Sequence, residues 1–292
     1  MKTLEYLADP MLRGLYLPAI LAGLAVAVTC SLVSVLVVVK RLGFVGQGIS
    51  HSAFGGIGVA SLLAAYGVLE TGGAAEMLVV GLFCIGAAVG MALVGRDRKT
   101  PEDTAIGLFL VASMALGAIL VQVARQHAIE AGRPADVRSW ESILFGSVLL
   151  VSRAEVVAAW VVLVGVAASL WAARRPLLLW AFDEDAARAA GVPTGLVRAG
   201  LLAVLAVVVV TTMKVAGVVL ASALIVLPGA TALRLSTRLR PVLALSVAAA
   251  VLGLVLGLVL SFELSWQPGP CIALAQTGLF VLAALAGARR AG

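Results

Sequence analysis

The chain carries only two histidines. One of them, His51, stands in a stretch that is otherwise apolar and glycine-rich, GFVGQGISHSAFGGIGVA at 43–60. On a helix Gln47 and His51 are i and i+4 and point the same way. A neutral imidazole nitrogen is a ligand for zinc, iron and related ions, and an amide adds a carbonyl oxygen. Polar side chains at membrane depth are costly unless they pair or face water. Two readings of His51 therefore stand side by side: a ligand on an ion path, or a hydrogen-bonding residue that holds helix packing. Beside this pair, Gly48, Ser52, Gly56 and Ala60 form another i+4 row made only of small residues, the kind that lets helices approach closely in lipid. Ser50 and Ser52 flank the histidine, but neighbouring residues on a helix point about 100° apart and cannot pair as nucleophile and base. That argues against an intramembrane hydrolase.

The second histidine, His127, lies in RQHAIEAGRPADVR with Glu130 and Asp136 nearby. This reads as a polar loop, with His-x-x-Glu as a possible ligand pair and a solvated loop histidine as the alternative. Cys30, Cys84 and Cys271 all fall in apolar runs without Cys-x-x-Cys spacing and read as small buried hydrophobes. No Gly-x-x-x-x-Gly-Lys-[Ser/Thr] phosphate loop occurs, so any ATP that drives this chain is hydrolysed on another polypeptide.

The elements that must position these residues are set by composition. Of 292 residues 62% are hydrophobic and 12% charged, and the mean hydropathy is +1.12. Soluble domains carry about 25% charged residues. The expectation is an all-α, polytopic helical membrane protein. A span needs about 20 apolar residues. Candidate runs lie at 15–39, 48–67, 75–95, 104–124, 154–173, 196–213, 216–233, 241–262 and 271–288. The pair 196–213 and 216–233 is divided only by Met213, Lys214 and Val215, so eight or nine spans are expected, one of them broken or re-entrant. The first run is too long for a signal-peptide core and has no cleavage site after it. The piece 143–151 is too short to span and suits a re-entrant or interfacial helix.

The formal charge is +6, and its distribution fits topology rather than nucleic-acid binding. With the C-terminus inside, the inner loops and ends take Lys40, Arg41, Arg96, Arg98, Lys99, Arg174, Arg175, Arg188, Arg198, Arg234, Arg238, Arg240, Arg289 and Arg290. Lys2, Arg13, Arg125, Arg133, Arg138, Arg153 and Lys214 fall outside. This two-to-one bias puts the C-terminus and the 174–195 loop in the cytoplasm and, for nine spans, the N-terminus outside.

Three further stretches have local meanings of their own. In RDRKTPEDTAIG (96–107) Pro101 and the acids after it suit a helix start. In WAFDEDAARAAGVPTG (180–195) Asp183, Glu184 and Asp185 open a short charged helix that Gly191 and Pro193 close, either a docking helix for a partner or a surface connector. In VVLASALIVLPGATALRL (218–235) Pro228 and Gly229 predict a kink late in a span.

Taken in order, these stretches resemble the permease subunit of bacterial zinc, manganese or iron ABC importers. The family's Gly-Asp-x-[Leu/Ile]-[Ser/Ala]-His-[Ala/Ser] motif corresponds to residues 46–52. Its Glu-Asp-Thr-Ala-Ile-Gly is intact at 102–107, and its Leu-Phe-Gly is at 144–146. Its Phe-Asp-…-Ala-Arg-Ala-x-Gly-x-Pro is matched by Phe182, Asp183, Ala187, Arg188, Ala189, Gly191 and Pro193, and its Pro-x-Ala-Thr-Ala segment lies within 223–232. The resemblance covers nearly the whole chain as one transmembrane permease domain, 1–292. It implies a homodimer in the bacterial plasma membrane, two copies of a separate ATP-binding subunit, and an extracytoplasmic solute-binding protein. It implies that the chain is no enzyme itself, that lipid surrounds it, and that no cofactor is held permanently, with a divalent metal ion as cargo. The helix at about 182–193, with Phe182, Asp183, Ala187, Arg188 and Gly191, looks like the element that couples to the ATPase. His51 is similar to the family's path-lining ligand. Gln47 departs from the family's Asp: it keeps an oxygen donor and loses the charge that offsets a cation in a low-dielectric path. That departure keeps a metal chelate or cobalamin-like cargo as an alternative. A secondary transporter would be expected to bury coupling acids in its spans, whereas the carboxylates here lie almost entirely in loops or at span ends.

Overall fold

The computed structural model describes residues 10–70, 73–95, 101–131 and 151–291. Within them the chain forms ten helices: α1 Pro10–Val39, α2 Gly43–Ala65, α3 Ala74–Val94, α4 Glu102–Glu130, α5 Arg153–Ala172, α6 Arg174–Phe182, α7 Glu184–Ala189, α8 Thr194–Leu235, α9 Leu239–Leu264 and α10 Pro268–Ala291. Eight of these are long and apolar enough to cross a bilayer, and no strand occurs among the described residues. The expected all-helical membrane fold is what the chain adopts.

Local chemistry explains several boundaries. α5 opens on a capping box in which the Ser152 hydroxyl accepts from the Glu155 amide at 3.3 Å and the Glu155 carboxylate accepts from the Ser152 amide at 2.8 Å. α4 starts after Pro101, whose carbonyl accepts the first amides of the helix. α2 begins at Gly43, five residues before the expected start, which puts Gln47 in its second turn. α4 runs on to Glu130, so His127 belongs to the last helical turn and not to a loop. Its ring packs on Tyr66, 4.4 Å between centroids. Asp136, the Leu-Phe-Gly motif at 144–146 and most of the expected short helix at 143–151 lie outside the described residues.

The two closely spaced runs near Lys214 resolve into one feature. α8 is 42 residues long with a single non-helical residue inside, Gly217 at φ 80 and ψ 167. A straight helix would separate Leu205 from Ile225 by about 30 Å. Both side chains nevertheless reach within 4 Å of the same point beside Gly46. Thr212 touches Cys30 at 3.3 Å, while Val226 and Gly229 both bond to Ser34, one turn further along α1. The two limbs, 194–216 and 218–235, therefore fold back on one another as a hairpin with Gly217 at its tip. The expected kink at Pro228 is displaced to Gly217, because a φ of +80 is open to glycine and strained for other residues. Around Pro228 the backbone is repaired instead: the Ser34 hydroxyl donates to the Val226 carbonyl at 3.2 Å and accepts from the Gly229 amide at 2.8 Å.

The hairpin tip is enclosed by protein. Thr212, Met213, Val215, Ala216, Gly217 and Val218 are all buried, and non-helical backbone at membrane depth survives only in such surroundings. The ammonium of Lys214 pairs with the Glu155 carboxylate at 3.4 Å, tying the tip to the start of α5. Both open ends of the hairpin lie on the side where α1 and α10 end. Lys40 pairs with Glu184 of α7, and Gly287 packs against the Arg234 carbonyl. With the hairpin counted as two limbs there are nine transbilayer segments among the described residues, which puts the start of α1 and the end of α10 on opposite sides.

Candidate ion path and coupling element

α2 divides its circumference between packing and an open stripe. A Cβ added to Gly48 would meet Ile106 of α4 at 2.9 Å and Met91 of α3 at 3.0 Å, and one at Gly56 would meet Val80 at 2.9 Å. Ser113 donates to the Ser52 hydroxyl at 3.3 Å. The small-residue row thus seats α3 and α4, and Ile106 shows what the intact 102–107 motif does here: it fills the space left by Gly48. Further along, Gly58 lies so close to Gly117 that a Cβ would come within 2.7 Å of its Cα.

The other stripe is open. Phe44 is 65% exposed, Gln47 is exposed, and His51 is half-buried. Gln47 and His51 therefore share one outward face. The Nδ1 atom of His51 is buried and has no hydrogen-bond partner, which argues against the packing-only reading, in which the ring would be satisfied by a neighbour. Among the described residues no cluster of three or more His, Cys, Asp or Glu side chains forms that could hold a metal ion. One chain contributes an imidazole nitrogen and an amide oxygen at this position, two donors where a bound ion takes four or more.

The second candidate element is on the side of Lys40. The expected single helix over about 182–193 is two pieces. Phe182 ends α6, 69% exposed, and Asp183 is the N-cap of α7, accepting from the Ala186 amide at 2.8 Å. The extended backbone of Asp183 breaks the helix there, because a capping side chain needs non-helical dihedrals. Gly191, at φ +77, closes α7 with paired bonds, from its own amide to Arg188 and from the Val192 amide to Ala187. Ala187 is fully buried, whereas Arg188 projects outward and bonds Glu184 at 2.6 Å.

α7 is tied to the end of α1 by a residue that the sequence did not single out. Lys40 pairs with Glu184 at 3.3 Å and sits 4.2 Å from the centroid of the buried Trp180 ring. Burial works to raise the Glu184 pKa, but hydrogen bonds from Arg188 and Lys40 outweigh it and hold the carboxyl below its usual 4.5. The only advance sign of this tie was position: Lys40 ends an apolar run, where a cation faces the interface.

The profile of the ABC 3 transport family matches residues 14–287. A Haemophilus influenzae protein named for an iron transport system membrane component is 30% identical over 279 residues, spanning 96% of each chain. The manganese transport system membrane protein MntC of Halalkalibacterium halodurans is 30% identical over 290 residues, 97% of this chain and 91% of the relative. Among solved structures, PsaBC from Streptococcus pneumoniae in complex with Fab superposes with a TM-score of 0.79, covering 96% of this chain and 93% of that one. At 24% identity that likeness concerns the fold.

Proposed function

This chain belongs to the ABC 3 transport family, and on that premise we propose that it is the membrane permease subunit of an ATP-driven importer for a divalent metal ion, zinc, manganese or iron. The observation that carries the reading is the outward stripe of Gln47 and His51, with a buried imidazole nitrogen left unpartnered. Two copies of the chain meeting on this face would bring two imidazoles and two amide oxygens together, a neutral four-donor set. Such a set suits transient coordination: it holds a cation weakly enough to release it. Iron and manganese relatives support the cargo class.

On this reading the chain performs no hydrolysis. Two copies of a separate ATP-binding subunit dock beneath α7, and an extracytoplasmic binding protein delivers the ion. Phe182, Asp183, Ala187, Arg188 and Gly191 form the docking surface. Movement of α7 would pass through the Lys40–Glu184 bond into α1, and through the short 190–193 connection into the first limb of α8. The hairpin packs on both α1 and α2, so both routes lead to the helix that carries His51.

The test is uptake by the whole transporter reconstituted in proteoliposomes. His51→Ala should assemble with its partners and lose most metal uptake. Uptake at the normal rate by a well-assembled His51→Ala transporter overturns the assignment of the path. The neutral Gln47 favours one second reading, a chelated cargo. Offering the free ion and its chelate to the same proteoliposomes separates the two: saturable uptake of the chelate alone selects the second.

A further inference from the structure

Along the first four turns of α2 the large apolar side chains Val45, Ile49, Phe54 and Ile57 are all buried. Phe44, the second residue of the helix, is 65% exposed. At about 100° per residue, Phe44, Gln47 and His51 fall within about 60° of one another around the helix. The phenyl ring therefore heads the same outward stripe as the polar pair, about 10 Å from His51 along the axis. A single exposed phenylalanine is ordinary. This one shares its face with an exposed amide and with an imidazole whose Nδ1 lacks a partner, and such groups are costly against hydrocarbon. The stripe suits water or a second copy of the chain better than lipid, and Phe44 is its apolar end.

Phe44 also stands next to the coupling element. Only Arg41, Leu42 and Gly43 separate it from Lys40, which is held by Glu184 at 3.3 Å and by the Trp180 ring at 4.2 Å. That corner is tight. The Leu42 side chain is buried, its amide donates to the Val37 carbonyl at 2.7 Å, and its carbonyl accepts from the Gly46 amide at 2.9 Å. Arg41 takes a φ of 56 there, a left-handed conformation strained for residues other than glycine. A displacement of α7 that pulls on Lys40 thus reaches Phe44 within four residues, with no slack loop between them.

We propose that Phe44 is the gate of the ion path on the α7 side. In the assembled pair of chains two phenyl rings meet below the two His51 side chains and shut them off from the water on that side. Movement of α7, acting through Lys40, draws the rings apart. An apolar constriction stops ions by excluding water, so it needs no charge and fits a stripe that has no carboxylate. The inference rests on the permease reading, with two copies meeting at this face, and adds to it the group that closes the path.

The test uses the whole transporter in proteoliposomes preloaded with manganese. Without ATP the unaltered transporter should retain the ion. Phe44→Ala should release it downhill about tenfold faster, a barrier change of about 1.4 kcal/mol, and Phe44→Leu, which keeps an apolar plug, should stay close to the unaltered rate. Phe44→Cys should be joined to the same position of the second copy by a short bis-maleimide, against native cysteines that are buried. This cross-link keeps the test decisive if Phe44→Ala assembles poorly. Retention of manganese by a well-assembled Phe44→Ala transporter, or failure of position 44 to cross-link, overturns the gate, and a ring that faces lipid gives both results. ATP-driven manganese uptake by the unaltered transporter checks the importer reading separately, so a failure of that reading is told apart from a failure of the gate.

Discussion

At the scale of single residues, the pairing of Gln47 with His51 could be read from the i, i+4 spacing alone, and so could the small-residue row beside it. The reason is periodicity: a helix face is a property of spacing, and spacing is written in the sequence. The orphaned nitrogen of His51 could not be read that way, because it depends on what the neighbouring helices fail to supply. Neither could Lys40, whose partners Glu184 and Trp180 lie far away in the chain. The missing carboxylate makes a sharp expectation. Gln47 is exposed, so Gln47→Asp should fold normally. It should lower the metal concentration for half-maximal uptake by about tenfold, since affinity for hard cations follows the ligand charge count. Unchanged concentration dependence in proteoliposome uptake would show that position 47 does not face the ion.

At the scale of elements, the hairpin α8 is where sequence and structure part. Two apolar runs separated by three residues announce a break, but the turn falls at Gly217, one glycine among 31, and nothing local marks its positive φ. Pro228 looked like the better breaker, and Ser34 of another helix supplies the hydrogen bonds that keep that segment helical. Gly217→Ala should destabilise the permease by about 1–3 kcal/mol through backbone strain alone, visible as a lower midpoint in thermal unfolding in detergent. Lys214→Met leaves the Glu155 carboxylate at the start of α5 with its Ser152 hydrogen bonds but without its cation. A loss of about 2 kcal/mol is expected for this partly exposed pair, less than for a fully buried one, with much of it restored in Lys214→Met/Glu155→Gln. Additive losses in that double variant would mean the pair carries no coupling.

At the scale of the whole molecule, composition was enough to read the class, and the basic residues carry an expectation about the sides. The side assignment depends on counting α8 as two limbs, since an odd number of segments sends the termini to opposite faces. Cysteines placed at Gly73 and at Thr237 should report this. With membrane-impermeant maleimide on intact cells, the first should label and the second should not, while the native Cys30, Cys84 and Cys271 are buried and silent. Labelling of both introduced sites from outside would overturn the topology. The same hairpin bears on how the chain is made. Its tip ends inside the protein and offers no hydrophilic loop to the far side of the membrane, so there is nothing to translocate between its limbs. Lys214 and the open backbone at Gly217 would be exposed to lipid if the first limb entered alone. The two limbs should therefore leave the insertion machinery as one unit, and only after α1, α2 and α5 are in place to receive them.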